Sequence, residues 1–168
     1  MPFVNSLTAV IFGLCVAVAA AAQTSLGPYV AIGEAAPNIV VVLVACVALR
    51  RGQLAGCGLG LVGGFLLGAL DGMSLGREMV GCMVAGFAAG MLRGRLFTER
   101  SSASLLVGFC AVLVAEFVPY LAGPQVPLLT WMRVAGLEAA YSAILAIPLY
   151  AFVRWVDRLL PGRADEGI

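Results

Sequence analysis

The chain has 168 residues, of which 62% are apolar and 11% are charged, and its mean hydropathy is +1.04. Soluble domains average about 45–50% apolar and about 25% charged residues, so this composition excludes a soluble globular domain and predicts a membrane protein. The net charge of +1 offers no basic surface for nucleic acid, and the absence of histidine removes the commonest metal ligand and general base.

The apolar runs predict one all-α domain of six transmembrane helices. Charged or Gly- and Pro-containing breaks place them at about 3–22, 36–49, 54–71, 78–92, 103–122 and 130–153. The first helix is expected to be retained, because no basic region precedes it as in a signal peptide. Helix two is short for a full span, so the stretch from Gly27 to Ala36 is expected to contain irregular or re-entrant chain.

The arginines orient this predicted bundle. One side holds Arg50, Arg51, Arg93, Arg95, Arg100, Arg154, Arg158 and Arg163, and the other holds only Arg77 and Arg133. The positive-inside rule makes the first side cytoplasmic, which puts both termini in the cytoplasm. Trp131 and Tyr120 then fall at the outer interface and Trp155 at the inner one, where aromatic belts are expected.

Glycines recur at a spacing of four in and beside helix three. They are Gly52, Gly56, Gly60, Gly64, Gly68, Gly72 and Gly76. Such a row lets a second helix approach closely, but it drifts by about 40° per glycine, so only the four from Gly60 to Gly72 are expected to face one partner. The row predicts either packing inside the bundle or contact with another protein. The second interpretation predicts a partner-binding face formed by Gly60, Gly64, Phe65, Gly68, Asp71, Gly72 and Gly76.

Three carboxylates at membrane depth are further functional candidates. Glu116 in helix five is predicted either to carry a proton or bind a ligand, or to join two helices by a hydrogen bond. Glu138 in helix six is predicted either to pair with Arg133 near the outer interface or to have a specific role. Asp71 is predicted either to cap the loop after helix three, where the next two glycines of the row supply turn conformations, or to act specifically.

No catalytic set, cofactor or metal site is predicted, and we expect no enzyme. The five cysteines lie singly in different apolar stretches without a C-x-x-C pair, so they are expected to be small buried side chains. Ser101, Ser102 and Ser104 have no base nearby in sequence. Neither a P-loop nor a dinucleotide fingerprint is present.

Three motifs between Ala36 and Phe97 resemble a known family. Pro37 and Asn38 open an apolar helix where that family often has Pro-Asp. A helix then closes on Gly64, Phe65, Gly68 and Asp71, and Leu75-Gly76 leads into the next helix. On these residues, about two fifths of the chain resembles the bacterial rod shape-determining membrane protein family MreD. The family supplies no catalytic residues to transfer, and Asn38 replaces the family's acid.

The resemblance implies a non-enzymatic scaffold subunit of the lateral cell-wall elongation machinery in the bacterial inner membrane. Such proteins bind the single-span protein MreC and through it connect to MreB, RodA and a class B penicillin-binding protein. The implied fold is similar to that of the substrate-binding (S) subunits of energy-coupling-factor transporters. Membrane lipid is the other expected neighbour, and a homodimer is left open. We therefore predict that helix three presents its glycines to a partner helix.

Two other classes compete with this prediction. A vitamin-binding S subunit is favoured by the small residues Gly13, Ala17 and Ala21 on helix one, a face of the kind that docks on a coupling subunit. Such a subunit needs several convergent polar groups, and beyond Asn38, Glu116, Arg133, Glu138 and Tyr141 the chain has few. A proton-coupled transporter centred on Glu116 lacks the expected inverted repeat with broken helices.

Overall fold

The computed structural model describes residues 6–31, 35–72, 75–93, 101–123 and 126–159, and these form a bundle of six α-helices. The helices are α1 (Ser6–Val30), α2 (Ile39–Arg51), α3 (Gln53–Asp71), α4 (Leu75–Met91), α5 (Ser101–Ala122) and α6 (Leu128–Leu159). A single residue, Gly52, joins α2 to α3, and its φ of +97° is accessible to glycine at little cost.

The short helix α2 is the centre of the bundle. Every residue from Val40 to Leu49 is 2% exposed or less, and α2 contacts all five other helices. The run from Ile39 to Leu49 contains no charged residue, so α2 offers an apolar surface for packing on all sides. The remaining helices follow around α2 in the order α1, α3, α4, α5 and α6, with each one contacting the next.

Two predicted helix boundaries are corrected by the structure. Helix α1 continues through Gly27 to Val30, well past the predicted end at residue 22. Polar Thr24 does not interrupt it, because its hydroxyl donates to the Ala20 carbonyl oxygen at 3.2 Å. Helix α6 likewise continues beyond the predicted end at residue 153 to Leu159. Its last turns carry charged residues and are still helical.

The irregular chain expected before α2 is present, but it is shorter than predicted. The stretch from Gly27 to Val30 is helical, and residues 32–34 lie outside the described part. From Ala35 to Asn38 the chain is not helical, and both Ala35 and Pro37 are buried in the bundle. Non-helical backbone of this kind is tolerated at membrane depth when protein covers it.

Four of the six helices are long and apolar enough to cross a membrane: α1, α3, α5 and α6. Helix α2 has 13 residues and α4 has 17, which makes both shorter than those four. At 1.5 Å per residue α2 is about 20 Å long, against a hydrocarbon core of about 30 Å. The chain is a multi-pass membrane protein, and the number of six complete spans stays a prediction.

Candidate functional site

The glycine row packs α3 against α4 of the same chain. A β-carbon added at Gly64 would lie 2.5 Å from the Glu78 carbonyl oxygen, and one at Gly68 would lie 2.9 Å from the Leu75 α-carbon. Gly56 and Gly60 are closer still, to backbone atoms of Gly86 and Cys82 respectively. Backbone cannot move aside as a flexible side chain can, so this antiparallel approach needs glycine at all four positions of α3.

The contact keeps a constant register along both helices. Each step of four residues forward on α3 meets a step of about four residues back on α4, from Gly86 to Cys82, Glu78 and Leu75. The face of Gly60, Gly64 and Gly68 is therefore filled from within the chain, and a helix of another protein cannot lie on it. This corrects the predicted use of these three glycines and favours the internal-packing interpretation.

The glycines that pack against α4 are not the four that were expected to share one face. The glycines against α4 begin one turn earlier, at Gly56 instead of Gly60, and end at Gly68. Gly72 has left the helix, because its left-handed φ of +65° ends α3 as the expected turn conformation. Gly76 was expected in the turn too, but it lies within α4 and an added β-carbon there meets nothing within 4 Å. The side chain of Asp71 lies outside the described part.

Phe65, the remaining predicted partner residue, points away from the bundle and is 51% exposed. The same side of α3 carries Leu54 and Leu61, which are 89% and 43% exposed, and Gly58, around which a β-carbon would meet nothing within 4 Å. We call these four residues the outer face of α3. Gly58 was missed by sequence reasoning because it stands outside the regular row, although it lies four residues from Leu54 and seven from Phe65.

A second site, the polar cap, surrounds the start of α2. Asn38 Oδ1 accepts from the backbone N–H of Val41 at 3.2 Å and so caps the helix. Gln23 Oε1 of α1 accepts from the N–H of Val40 at 3.0 Å, and Gln23 Nε2 donates to Asn38 Oδ1 at 3.4 Å. Ser142 Oγ of α6, which is fully buried, accepts from the N–H of Asn38 at 2.9 Å. These side chains supply the partners that the first backbone donors of a helix lack.

Both candidate glutamates, Glu116 and Glu138, belong to this cap. Glu138 Oε1 accepts from the N–H of Ala36 at 3.3 Å, in the non-helical segment before α2. Glu116 of α5 interacts with the side chain of Asn38 and lies near Glu138. The ion pairs among the described residues do not include Glu138 with exposed Arg133, so the predicted pairing of those two residues is corrected. Whether Glu116 carries a proton or a ligand stays a prediction.

The depth of the polar cap follows from the length of α2. Arg51 ends α2 at the basic end of the bundle, and Asn38 precedes it by thirteen residues, or about 20 Å. The cap therefore lies within the membrane thickness, in the half far from the basic end. At this depth an unpaired backbone N–H would cost several kcal/mol, which explains why the cap draws polar side chains from three helices.

The opposite end of the bundle is held by charge. Asp157 of α6 pairs with Arg50 and Arg51 at the end of α2, the latter at 2.7 Å between Oδ1 and Nη2. Arg93, after α4, donates from Nη1 to the Arg51 carbonyl oxygen at 3.1 Å. The ends of α2, α4 and α6 thus meet at one side, as the arginine distribution predicted. Arg95, Arg100 and Arg163 lie outside the described residues.

Arg77 lies at the other end and joins α4 to α5. Its Nη2 donates to the carbonyl oxygens of Pro119 at 2.7 Å and Gly123 at 3.2 Å. These carbonyls belong to the last turn of α5 and the residue after it, where helix carbonyls lack intrahelical partners. Nearby, Trp131 stacks on Tyr120 with ring centroids 4.8 Å apart, which places both aromatic residues at the end where the outer belt was predicted.

Within the described part of the chain, no group of three or more His, Cys, Asp or Glu side chains could hold a metal ion. The two sites are instead a helix pair in close backbone contact and a helix start whose backbone N–H groups are hydrogen-bonded by polar side chains. These two sites and the apolar outer surfaces of the long helices define a multi-pass membrane protein. Its short central helix is covered on all sides by the other helices.

The family model for rod shape-determining protein MreD matches residues 4–159. The chain therefore belongs to the MreD family, and it is a membrane protein of the rod-shape-determining class. This confirms the resemblance found in the segment from Ala36 to Phe97 and extends it over almost the whole chain. Comparison with curated proteins and comparison with solved structures each give no significant match. The similarity to S subunits stays a prediction.

Proposed function

We propose that this chain is a scaffold subunit of the lateral cell-wall elongation machinery, which binds a single-span MreC-like protein through the outer face of α3. The family match supports the cell-shape role. The choice of surface rests on one observation: α3 has glycines on two opposite sides, and only one of these sides is occupied. The side of Gly56 and Gly60 is filled by α4, whereas Gly58 stands open beside Phe65.

The outer face of α3 has the shape that a membrane helix partner needs. Leu54, Gly58, Leu61 and Phe65 follow at spacings of four, three and four, so they form one stripe along the helix. Gly58 makes a notch between larger side chains, where a second backbone can approach closely. Phe65 supplies the large apolar contact for that helix. The stripe lies within the segment whose motifs first indicated the family.

Helix α1 offers the competing surface. Gly13 is open in the same sense as Gly58, since an added β-carbon would meet nothing within 4 Å, and Ala17 and Ala21 continue its stripe of small residues. Among the described residues, no exposed aromatic side chain lies within one turn of this stripe, and exposed Leu14 and Val18 flank it. We therefore assign α1 to lipid contact and α3 to the partner.

The wider assembly follows from the partner. Through the MreC-like protein the chain would connect indirectly to MreB, RodA and a class B penicillin-binding protein, without contacting them through catalytic groups of its own. The arginine-rich end then faces the cytoplasm of a bacterial cell, with both termini on that side of the inner membrane. A second copy of the chain is a further candidate for the same surface.

The test replaces Phe65 by Ala, with Phe87→Ala as the matched control. Phe87 lies on the outer side of α4 and is 42% exposed, so the two variants lose similar apolar contact with surrounding lipid. Each tagged variant is extracted from its native membrane in mild detergent, and co-purified proteins are identified by mass spectrometry. We expect Phe65→Ala to lose most of a single-span protein with a coiled coil and an extracytoplasmic β domain, and Phe87→Ala to retain it.

Two outcomes would contradict the proposal. Equal recovery with both variants would remove the outer face of α3 as the docking surface while leaving the cell-shape role standing. Recovery of paired ATPases with a coupling membrane subunit, instead of the single-span protein, would overturn the scaffold role itself.

A further inference from the structure

The last turns of α6 divide their charges between the inside and the outside of the bundle. Asp157 is turned inward to Arg50 and Arg51, and its side chain is only 6% exposed. Arg154 and Arg158, which flank it in sequence, are exposed and have no ion pair or hydrogen bond to a described residue. The inner two arginines therefore share one carboxylate, whereas the outer two present their charge to the surroundings.

The outer arginines form one surface with an interfacial aromatic residue. Arg154 and Arg158 are one turn apart and so lie above one another on the helix. Trp155 beside them is 57% exposed, and its ring centroid is 6.2 Å from that of Phe152, which is 41% exposed. Tryptophan prefers the headgroup level of a membrane, so the two guanidinium groups are placed where lipid phosphates lie. We call Arg154, Trp155 and Arg158 the α6 headgroup patch.

The described residues at this end carry a net positive charge. Among the described residues it contains five arginines, Arg50, Arg51, Arg93, Arg154 and Arg158, against one carboxylate, Asp157. Guanidinium groups bind phosphate oxygens in a planar, two-pronged geometry, and each arginine near an anionic bilayer surface adds to the attraction. A zwitterionic lipid supplies no net charge to balance such a patch, whereas an anionic phospholipid does.

We propose that the α6 headgroup patch is a binding site for an anionic phospholipid of the leaflet at the basic end of the bundle. Arg154 and Arg158 hold the phosphate of the headgroup, and Trp155 packs on the glycerol and the first acyl carbons. This site is independent of the outer face of α3, so the loss of one leaves the other unchanged.

The chain carries its own reporter for the test. It has two tryptophans, Trp131 and Trp155, at opposite ends of α6. In the full-length Trp131→Phe variant, reconstituted into bilayers, the fluorescence of Trp155 is measured as brominated phosphatidylglycerol or brominated phosphatidylcholine replaces the unbrominated lipid. We expect quenching to report a preference of about fivefold or more for phosphatidylglycerol, which is what one well-placed arginine supplies.

Substitutions then separate charge from shape. The double variant Arg154→Gln with Arg158→Gln should lose the preference, and Arg154→Lys with Arg158→Lys should retain much of it. Because the groups are exposed, the preference should also fall as salt is raised. Arg133→Gln is the matched control, since it removes an exposed arginine from the opposite end of the same helix and should leave Trp155 quenching unchanged.

Three results would overturn the site. The first is equal quenching of Trp155 by both brominated lipids in the parent, which would mean lipid contact without selectivity. The second is a preference that survives the double Gln substitution. The third is the absence of quenching by either lipid, which would mean that protein, such as a second copy of this chain, covers the patch.

Discussion

The two sides of α3 carry the same residue type with opposite consequences. On the inner side, Gly60 and Gly64 lie against the backbone of α4, and any added side chain would overlap it. On the outer side, Gly58 lies in open space, two residues from Gly60 and facing the other way. A glycine in a membrane helix is therefore a contact in one case and a vacant notch in the other, and spacing alone does not distinguish them.

The difference follows from chain connectivity. Helices α3 and α4 are consecutive and antiparallel, so the inner glycines meet their partner as soon as the hairpin closes. The outer face of α3 has no described helix against it, and we expect a separate chain or lipid to cover it. Four predictions test this contrast, the ion pairs of Asp157 and the polar cap. They begin with the largest expected effect.

The largest effect is expected for Gly60→Leu. The new side chain would meet the backbone of Cys82, which cannot be displaced without separating α3 from α4. We expect a loss of about 3 kcal/mol or more in unfolding free energy, the upper end for overpacked cores. Thermal unfolding in detergent checks it. An unchanged melting temperature would contradict the close α3–α4 contact.

Asp157→Asn should have the next largest effect. It leaves Arg50 and Arg51, with side chains 22% and 20% exposed, without their carboxylate. We expect about 2 kcal/mol of destabilisation, between the values for surface pairs and buried pairs. The melting temperature should recover partly in Asp157→Glu. If Asp157→Asn is as stable as the parent, the charged network does not hold α2 to α6.

Ser142→Ala tests the polar cap. The substitution removes the acceptor from the Asn38 N–H in a fully buried position, so that donor loses its partner. We expect about 1–2 kcal/mol of destabilisation, the usual cost of an unsatisfied buried donor. The measurement is the unfolding free energy of Ser142→Ala. The control is Ile144→Ala on the same helix, an exposed position where the substitution removes side-chain atoms without affecting the polar cap. Equal stability of Ser142→Ala and parent would show that the cap is not needed.

The smallest effect is expected for Gly58→Leu. The position is open and helical, and leucine favours the helix over glycine by about 0.8 kcal/mol, so stability should stay equal or rise slightly. Unfolding of Gly58→Leu beside Gly60→Leu gives the sharpest comparison of the two sides. A large loss of stability for Gly58→Leu would mean that the outer face is already occupied within the chain.

Much of this architecture could be predicted from sequence, but the central position of α2 could not. Apolar runs and charged breaks located all six helices, and arginine positions located the basic end. The apolar run of α2 resembles that of any lipid-facing helix, because hydropathy measures avoidance of water and does not separate lipid from protein surroundings. The one feature of the sequence that indicated the central position of α2 is that it has no polar residue on any side before Arg50.

The polar cap was only half predictable, for a related reason. Glu116, Glu138 and Asn38 were singled out by charge or by motif, whereas Gln23 and Ser142 were missed. Uncharged polar residues are common in membrane helices, and only the geometry shows that these two meet the same helix start. The pairing of Glu138 with Arg133 was wrong because sequence proximity ignored the free N–H of Ala36 across the bundle.

The most direct test of the central claim compares partner recovery from Gly58→Leu and Gly13→Leu. Both glycines are helical and open, so both variants should insert and remain folded, and they differ in which helix loses its notch. The account predicts that Gly58→Leu fails to co-purify the single-span partner in mild detergent while Gly13→Leu retains it. Retention by Gly58→Leu with loss by Gly13→Leu would contradict the account and move the docking surface to α1.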